Sequence, residues 1–261
     1  RFPVFAALIH PVDRIFRRAI LFLASRLIRI LDFFRSPTAF NEPPMNWLHI
    51  VPCALLAYLL GSIPTAVWYG QAFFGLDIRQ FGSRNAGATN TFRVLGKRAG
   101  TVVLLIDVLK GWLAANLALI LFYLDQIPVE QRVGLKLAFG LMAVVGHLFP
   151  LFAGFRGGKG VATLLGMVLS IHPQAAATCL GIFLLVLAVT QYVSLSSVLA
   201  ALCFPLLMVD GTFGQEPTVL VVFAFLMSAL VVFTHQKNIG RLLRGQESRV
   251  PLRRRRREEE E

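Results

Sequence analysis

Thr101-Val-Val-Leu-Leu-Ile-Asp107-Val-Leu-Lys110-Gly-Trp-Leu-Ala-Ala-Asn116-Leu-Ala-Leu-Ile-Leu-Phe-Tyr-Leu124 is the stretch on which the fold turns. Its only charges are Asp107 and Lys110, three positions apart. At 1.5 Å per helical residue the run covers about 36 Å, enough to cross a hydrocarbon core of about 30 Å. Outward from it, further apolar segments occupy 47–74, 133–152, 161–171, 174–189, 193–209 and 218–233. The whole chain agrees: 56% of its 261 residues are hydrophobic, 22 are Phe, and only 15% are charged. Soluble domains carry about a quarter charged residues, and a soluble fold of this length has nowhere to bury so much apolar surface. The expected fold class is an all-α integral membrane protein of about seven transmembrane helices, with polar motif loops on the cytoplasmic face.

Residues 13–35 are different. Arg14, Arg17, Arg18, Arg26 and Arg29 fall on one side of a 3.6-residue helix, and Phe16, Ile20, Leu23, Leu27, Ile30 and Phe34 on the other. That pattern predicts an amphipathic helix lying in the membrane interface. A Pro-rich linker ends at Pro44, so the reading divides into an extension over 1–46, a membrane domain over 47–247 and a charged tail over 248–261. The net charge of +12 is concentrated at the two ends. On a membrane protein such flanks meet anionic lipid headgroups, so membrane lipids are expected partners and nucleic acid is not. Cys53, Cys179 and Cys203 lie far apart inside apolar runs and read as reduced packing residues.

Alternation of spans sorts the loops. With seven, 75–100, 153–160, 190–197 and the chain after Thr234 share one face. That face holds Arg79, Arg84, Arg93, Lys97, Arg98, Arg156, Lys159, Lys237, Arg241 and Arg244, against Asp125, Glu130, Arg132, Asp210 and Glu216 on the other. The positive-inside rule makes the first face cytoplasmic. The same count puts the basic N-terminal helix outside, against that rule.

Every motif-like stretch falls on the cytoplasmic side. Phe81-Gly-Ser83-Arg-Asn85-Ala-Gly87-Ala-Thr89-Asn90, followed by Arg93, combines small residues that admit a ligand with short polar side chains and a forked cation suited to phosphate. Gly146-His147 precedes Arg156-Gly157-Gly158-Lys159-Gly160, a turn that opens a helix and aims free N–H groups at an anion. It is not a Walker loop, because Gly160 stands where Ser or Thr would bind magnesium. Ser194 and Ser197 lie in a hydroxyl-rich junction. His235, Asn238 and Arg241 occupy neighbouring helical turns and can face one site. Asp107 and Lys110 read as an intramembrane ion pair.

At these residues the chain resembles the bacterial acyl-phosphate:glycerol-3-phosphate acyltransferase family, the PlsY type. The resemblance runs from about Trp47 to Glu247, through Gly82–Asn90, Phe92–Gly96, Asp107–Gly111, Gly146–Pro150, Gly157–Thr163, Tyr192–Ser197 and His235–Glu247. Arg84 stands at a position that is commonly Gly, Arg156 at one commonly Lys, and Gln191 at one often basic. The resemblance implies acyl transfer from acyl-phosphate to the sn-1 hydroxyl of glycerol 3-phosphate, without metal or other cofactor. It implies catalytic roles for Ser83, Arg93, His147 and Lys159, with His147 or the donor's own phosphate taking the proton. It further implies substrate and phosphate contacts from Asn85, Gly87, Thr89, Asn90, Arg156, Gly157, Gly158, Gly160, Ser194, Ser197, His235, Asn238, Arg241 and Glu247.

Other classes fit less well. An anion or phosphate-ester transporter would use the same basic loops as gates, but the chain shows no internal repeat. CDP-alcohol phosphotransferases need a carboxylate-rich metal site, and the cytoplasmic loops offer only Asp77. Acyltransferases of the His–Asp type place Asp five residues after His, and no His here has that partner.

Overall fold

A computed structural model describes residues 47–125 and 129–250. The N-terminal amphipathic segment, the linker and the tail from 251 lie outside the described residues. Among the described residues the chain forms ten α-helices, two short 3₁₀ turns and no strand. They are α1 Trp47–Ser62, α2 Thr65–Phe74, α3 Ala88–Val94, α4 Lys97–Asp125 and α5 Val129–Leu148, then α6 Val161–Ile171, α7 Pro173–Thr190, α8 Val193–Val209, α9 Thr218–Thr234 and α10 Gln236–Leu243. All seven apolar segments are helical.

Three of them, Lys97–Leu124, Gln131–Ala153 and Pro173–Thr190, are long and apolar enough to cross a bilayer alone, and two bent pairs raise the number to five. The 47–74 segment is one of these pairs, two helices in place of one continuous helix. It bends by 42° between α1 and α2, at Ile63-Pro64. Pro64 has no N–H to continue the ladder, and the Ile63 carbonyl turns instead to Lys110 Nζ, 2.9 Å away. The second pair bends by 61° between α9 and α10. At 11 residues α6 covers only about 17 Å, so it is a short helix held among longer ones.

The exterior is apolar, as lipid requires: Leu105, Leu184, Leu185, Val189 and Leu226 are all exposed. Association therefore depends on close packing more than on removal of apolar surface from water. The central helix α4 touches α1, α3, α5 and α6. Its crossing with α6 is backbone against backbone. A Cβ on Gly111 would lie 2.0 Å from the Thr163 carbonyl oxygen, and one on Gly166 would lie 1.9 Å from that of Val108. Since α6 begins directly after Gly160, this contact also fixes where the Gly-rich turn stands.

The connections place the polar stretches together. The start of α6 follows a turn bonded to the end of α5, while its far end accepts a hydrogen bond from Lys136 Nζ at Ser170 O, 2.8 Å. Helix α7 returns, α8 departs and α9 returns again. The stretches 75–96, 153–160, 190–194 and 235–250 thus meet at one end of the bundle, as the alternation of spans predicts. At the opposite end His172 Nε2 and Glu216 Oε1, 3.0 Å apart, join the α6–α7 turn to the loop before α9.

Candidate active site

The loop before α3 is shaped by Asn90. Its Nδ2 donates to the carbonyls of Ile78 and Phe81, both at 3.0 Å, and its Oδ1 accepts from the Ser83 N–H at 2.8 Å. Only 1% exposed, Asn90 is a latch that holds the loop through its backbone. Arg79 pairs with Asp77 at 2.7 Å and donates to Ala153 O at 2.8 Å, tying this loop to the Gly-rich turn. Ser83 is exposed and Asn85, Gly87 and Thr89 are half-buried around it. Arg84 adopts φ 60°, a left-handed conformation that favours Gly, and this gives a physical reason for Gly at that position. Arg93, on the last turn of α3, is exposed and makes no hydrogen bond or ion pair among the described residues.

The Gly-rich turn is bonded to the end of α5: Gly157 N–H donates to Leu148 O at 3.2 Å and Gly158 N–H to His147 O at 3.1 Å. A Cβ at Gly158 would fall 2.1 Å from His147 Nε2, so only Gly lets the imidazole stand there. His147 itself is 6% exposed, with Nδ1 3.7 Å from Asp107 Oδ1. Asp107 also holds Lys110 Nζ at 2.9 Å and the Thr65 hydroxyl at 3.1 Å. The adjoining cavity, bounded by Pro64, Ala86 and Gly157, has a volume of about 10 Å³. That admits one water at most. His147 therefore backs the turn from inside the helix bundle.

On the other side of the turn, Lys159 Nζ donates to Asn238 Oδ1. Asn238 Nδ2 donates to Glu247 Oε1 at 2.6 Å, Ser194 Oγ to the same oxygen at 2.9 Å, and Arg241 Nε to Glu247 Oε2 at 2.7 Å. Burial pushes the Glu247 carboxyl up, but these hydrogen bonds outweigh it and hold it below its usual range. Glu247 thus draws Ser194, Asn238 and Arg241 into one hydrogen-bonded group. Ser197 bonds to Val193 O in its own helix at 2.9 Å and is 5% exposed, so it too is a packing group.

Three cations, Arg93, Lys159 and Arg241, lie near one another at this end of the bundle. Burial lowers the Lys159 pKa to about 8; Glu247 opposes this, while Arg241 and Arg93 add to it. Burial, with the Lys159 charge, lowers His235 to about 4. Its Nδ1 lies 2.8 Å from Val231 O, which can only accept, so that nitrogen carries the proton and Nε2 keeps a lone pair. His235 is thus a neutral acceptor, not a third kind of cation. Arg156 and Gly160 complete the turn, Arg156 exposed and Gly160 at φ 80° capping α6.

The spacing of residues did not reveal the strap that follows α10. Val250 N–H donates to Gln191 O at 2.9 Å, and Arg249 Nε to Tyr192 Oη at 3.0 Å. With Glu247 these contacts bind the chain after α10 to the start of α8.

A polytopic helical membrane protein with its basic and polar stretches gathered at one end is the class these features define. The glycerol-3-phosphate acyltransferase profile matches residues 51–245, and the chain belongs to that family of enzymes. A glycerol-3-phosphate acyltransferase of Chlorobium phaeobacteroides (strain DSM 266) is 40% identical over 229 residues, covering 78% of this chain and 97% of the relative. One from Chlorobaculum tepidum is 42% identical over 218 residues, covering 75% and 94%. The crystal structure of PlsY, an integral membrane glycerol 3-phosphate acyltransferase, in its glycerol 3-phosphate form matches with TM-score 0.65 and 37% identity, over 77% of this chain and 95% of that one. Its lysophosphatidic acid form matches with TM-score 0.65 and 36% identity, over 77% and 94%.

Proposed function

We propose that this chain transfers a fatty acyl group from acyl-phosphate to the sn-1 hydroxyl of glycerol 3-phosphate, giving lysophosphatidic acid and inorganic phosphate. The observation that carries this is that Arg93 and Arg241, from two other stretches, stand close enough to Lys159 for their charges to act on it, beside a carboxylate, Glu247, already engaged by Ser194, Asn238 and Arg241. Such a grouping suits two phosphates side by side. The solved PlsY forms with glycerol 3-phosphate and with lysophosphatidic acid support the same reading.

Acyl-phosphate is a mixed anhydride and arrives activated, so the work left is positioning and charge stabilisation. The acceptor oxygen forms its bond to the acyl carbon, the bond from that carbon to the phosphate oxygen breaks, and phosphate leaves with the electron pair. Arg93 and Lys159 neutralise the donor phosphate, assisted by Arg156 and the N–H of Gly160, while the N–H groups of Gly157 and Gly158, bonded to the end of α5, hold the turn in shape. Ser83, Asn85, Thr89 and Ser194 orient the acceptor, and His235 Nε2 accepts from a hydroxyl. With His147 shut behind the turn, the departing phosphate is the group left to take the hydroxyl proton. The polar end faces the cytoplasm of a bacterial inner membrane, and residues 47–247 form the catalytic domain.

Alanine at Lys159 or Arg93 tests these roles. A charge-assisted hydrogen bond contributes about 1.5–3 kcal/mol, so each change should lower kcat/KM by at least ~10–100-fold. Arg93→Lys should recover little, since an ammonium lacks the planar fork. Arg84→Gly, which relieves a left-handed side chain, is the control and should leave the rate intact. Near-normal rates for both alanine variants at low substrate would refute the assignment.

A further inference from the structure

Beyond the pocket, α10 carries a second basic surface. Lys237, Arg241 and Arg244 stand at i, i+4 and i+7 on one stripe and, with Gln236, Gly240 and Gln246, line an open groove of about 540 Å³. No carboxylate lines it. Arg241 has Glu247 on its inner side, but the two outer cations have no acid partner among the described residues. Arg244 Nε donates to neutral Gln246 Oε1 at 3.2 Å, and the exposed Lys237 makes no hydrogen bond or ion pair among the described residues. Like charges stacked a turn or two apart on a helix repel, and an anion laid across them relieves that repulsion.

The position of the helix says which anion. It leaves the axis of the membrane-spanning α9 by 61°, and so runs off sideways at the end of a span. Leu243, beside Arg244, is 84% exposed, and Phe233 at the end of α9 is 66% exposed. Apolar side chains this open belong in lipid, and cations next to them lie at headgroup depth. A soluble phosphate ester is drawn instead to the buried, converging donors of the pocket, for the groove offers charge and an adjoining lipid surface but no buried donor. We infer that the α10 groove is a binding site for the phosphodiester headgroup of an anionic phospholipid, with Lys237 and Arg244 as its charge. The site rests on membrane embedding and is independent of which acyl donor the enzyme uses.

The test uses the purified full chain, stripped of lipid in neutral detergent and titrated with phosphatidylglycerol or phosphatidylcholine, with bound lipid counted by native mass spectrometry. Phosphatidylglycerol should bind in preference, and high salt should weaken it. Lys237→Gln and Arg244→Gln should each weaken it about fivefold, and the pair about 20-fold or more, from the share each cation contributes at an anionic surface. Both side chains are exposed, so the lipid-free melting temperature should not move; Lys237→Arg should bind as the parent does. Unchanged phosphatidylglycerol binding in the glutamine variants would overturn the assignment. Displacement of the lipid by millimolar inorganic phosphate would also overturn it, showing that the groove serves soluble phosphate.

Discussion

Replacing Glu247 should loosen the group of side chains that holds Lys159. Its two oxygens accept from Ser194 at 2.9 Å, Asn238 at 2.6 Å and Arg241 at 2.7 Å. Hydrogen bonds to a charged acceptor are worth about 1.5–3 kcal/mol, and buried donors left unpaired cost about as much. Ser194 and Asn238 are 5% and 9% exposed, so both meet that description. The Arg241 side chain is 37% exposed, and solvent screening reduces its share to about 1 kcal/mol or less. Taking the two buried bonds at the low end, Glu247→Ala should cost roughly 3 kcal/mol and free Asn238 to swing away from Lys159. Glu247→Gln keeps one carbonyl but points an amide N–H₂ at another donor, so it should recover only part. Melting in detergent and kcat/KM for glycerol 3-phosphate read the two consequences. The alanine variant should melt early and lose ~10–100-fold in kcat/KM, with glutamine between it and the parent. An alanine variant that kept both its melting temperature and its rate would show that the carboxylate aligns nothing.

Two further outcomes follow from the same geometry. Lys159 holds an anion only while protonated, and its pKa near 8 means kcat/KM should fall as pH rises through about 8. Lys159→Arg should move that limb upward, and a parent profile flat to pH 10 would contradict it. For sidedness, reporter fusions after Arg156 and Arg244 should report cytoplasm and one after Gln215 the outside. A cytoplasmic signal at Gln215 would break the proposed orientation.

The apolar segments were legible because lipid demands long uninterrupted runs, and the 101–124 stretch supplied the template for the rest. What escaped the sequence depends on partners far away in it. The bend at Ile63-Pro64 is stabilised by Lys110, 47 positions on, and Glu247 is defined by Ser194, 53 positions back. Asn90 and Asn85 look alike in a Gly-rich motif, yet one is spent on backbone and the other stays half-buried at the loop. The burial of His147 beside Asp107 and Gly158 could not be read from its motif, because Asp107 is 40 positions back. The electrostatic coupling of Arg93 to Lys159 likewise joins loops 66 positions apart in sequence.

The central claim is that the acyl donor is acyl-phosphate, and one assay meets it directly. Purified protein would be given glycerol 3-phosphate with either acyl-phosphate or acyl-CoA, in the presence of a chelator, while lysophosphatidic acid and inorganic phosphate are followed together. The account predicts both products in equal amounts from acyl-phosphate, undiminished by the chelator. Robust turnover with acyl-CoA and none with acyl-phosphate would contradict it.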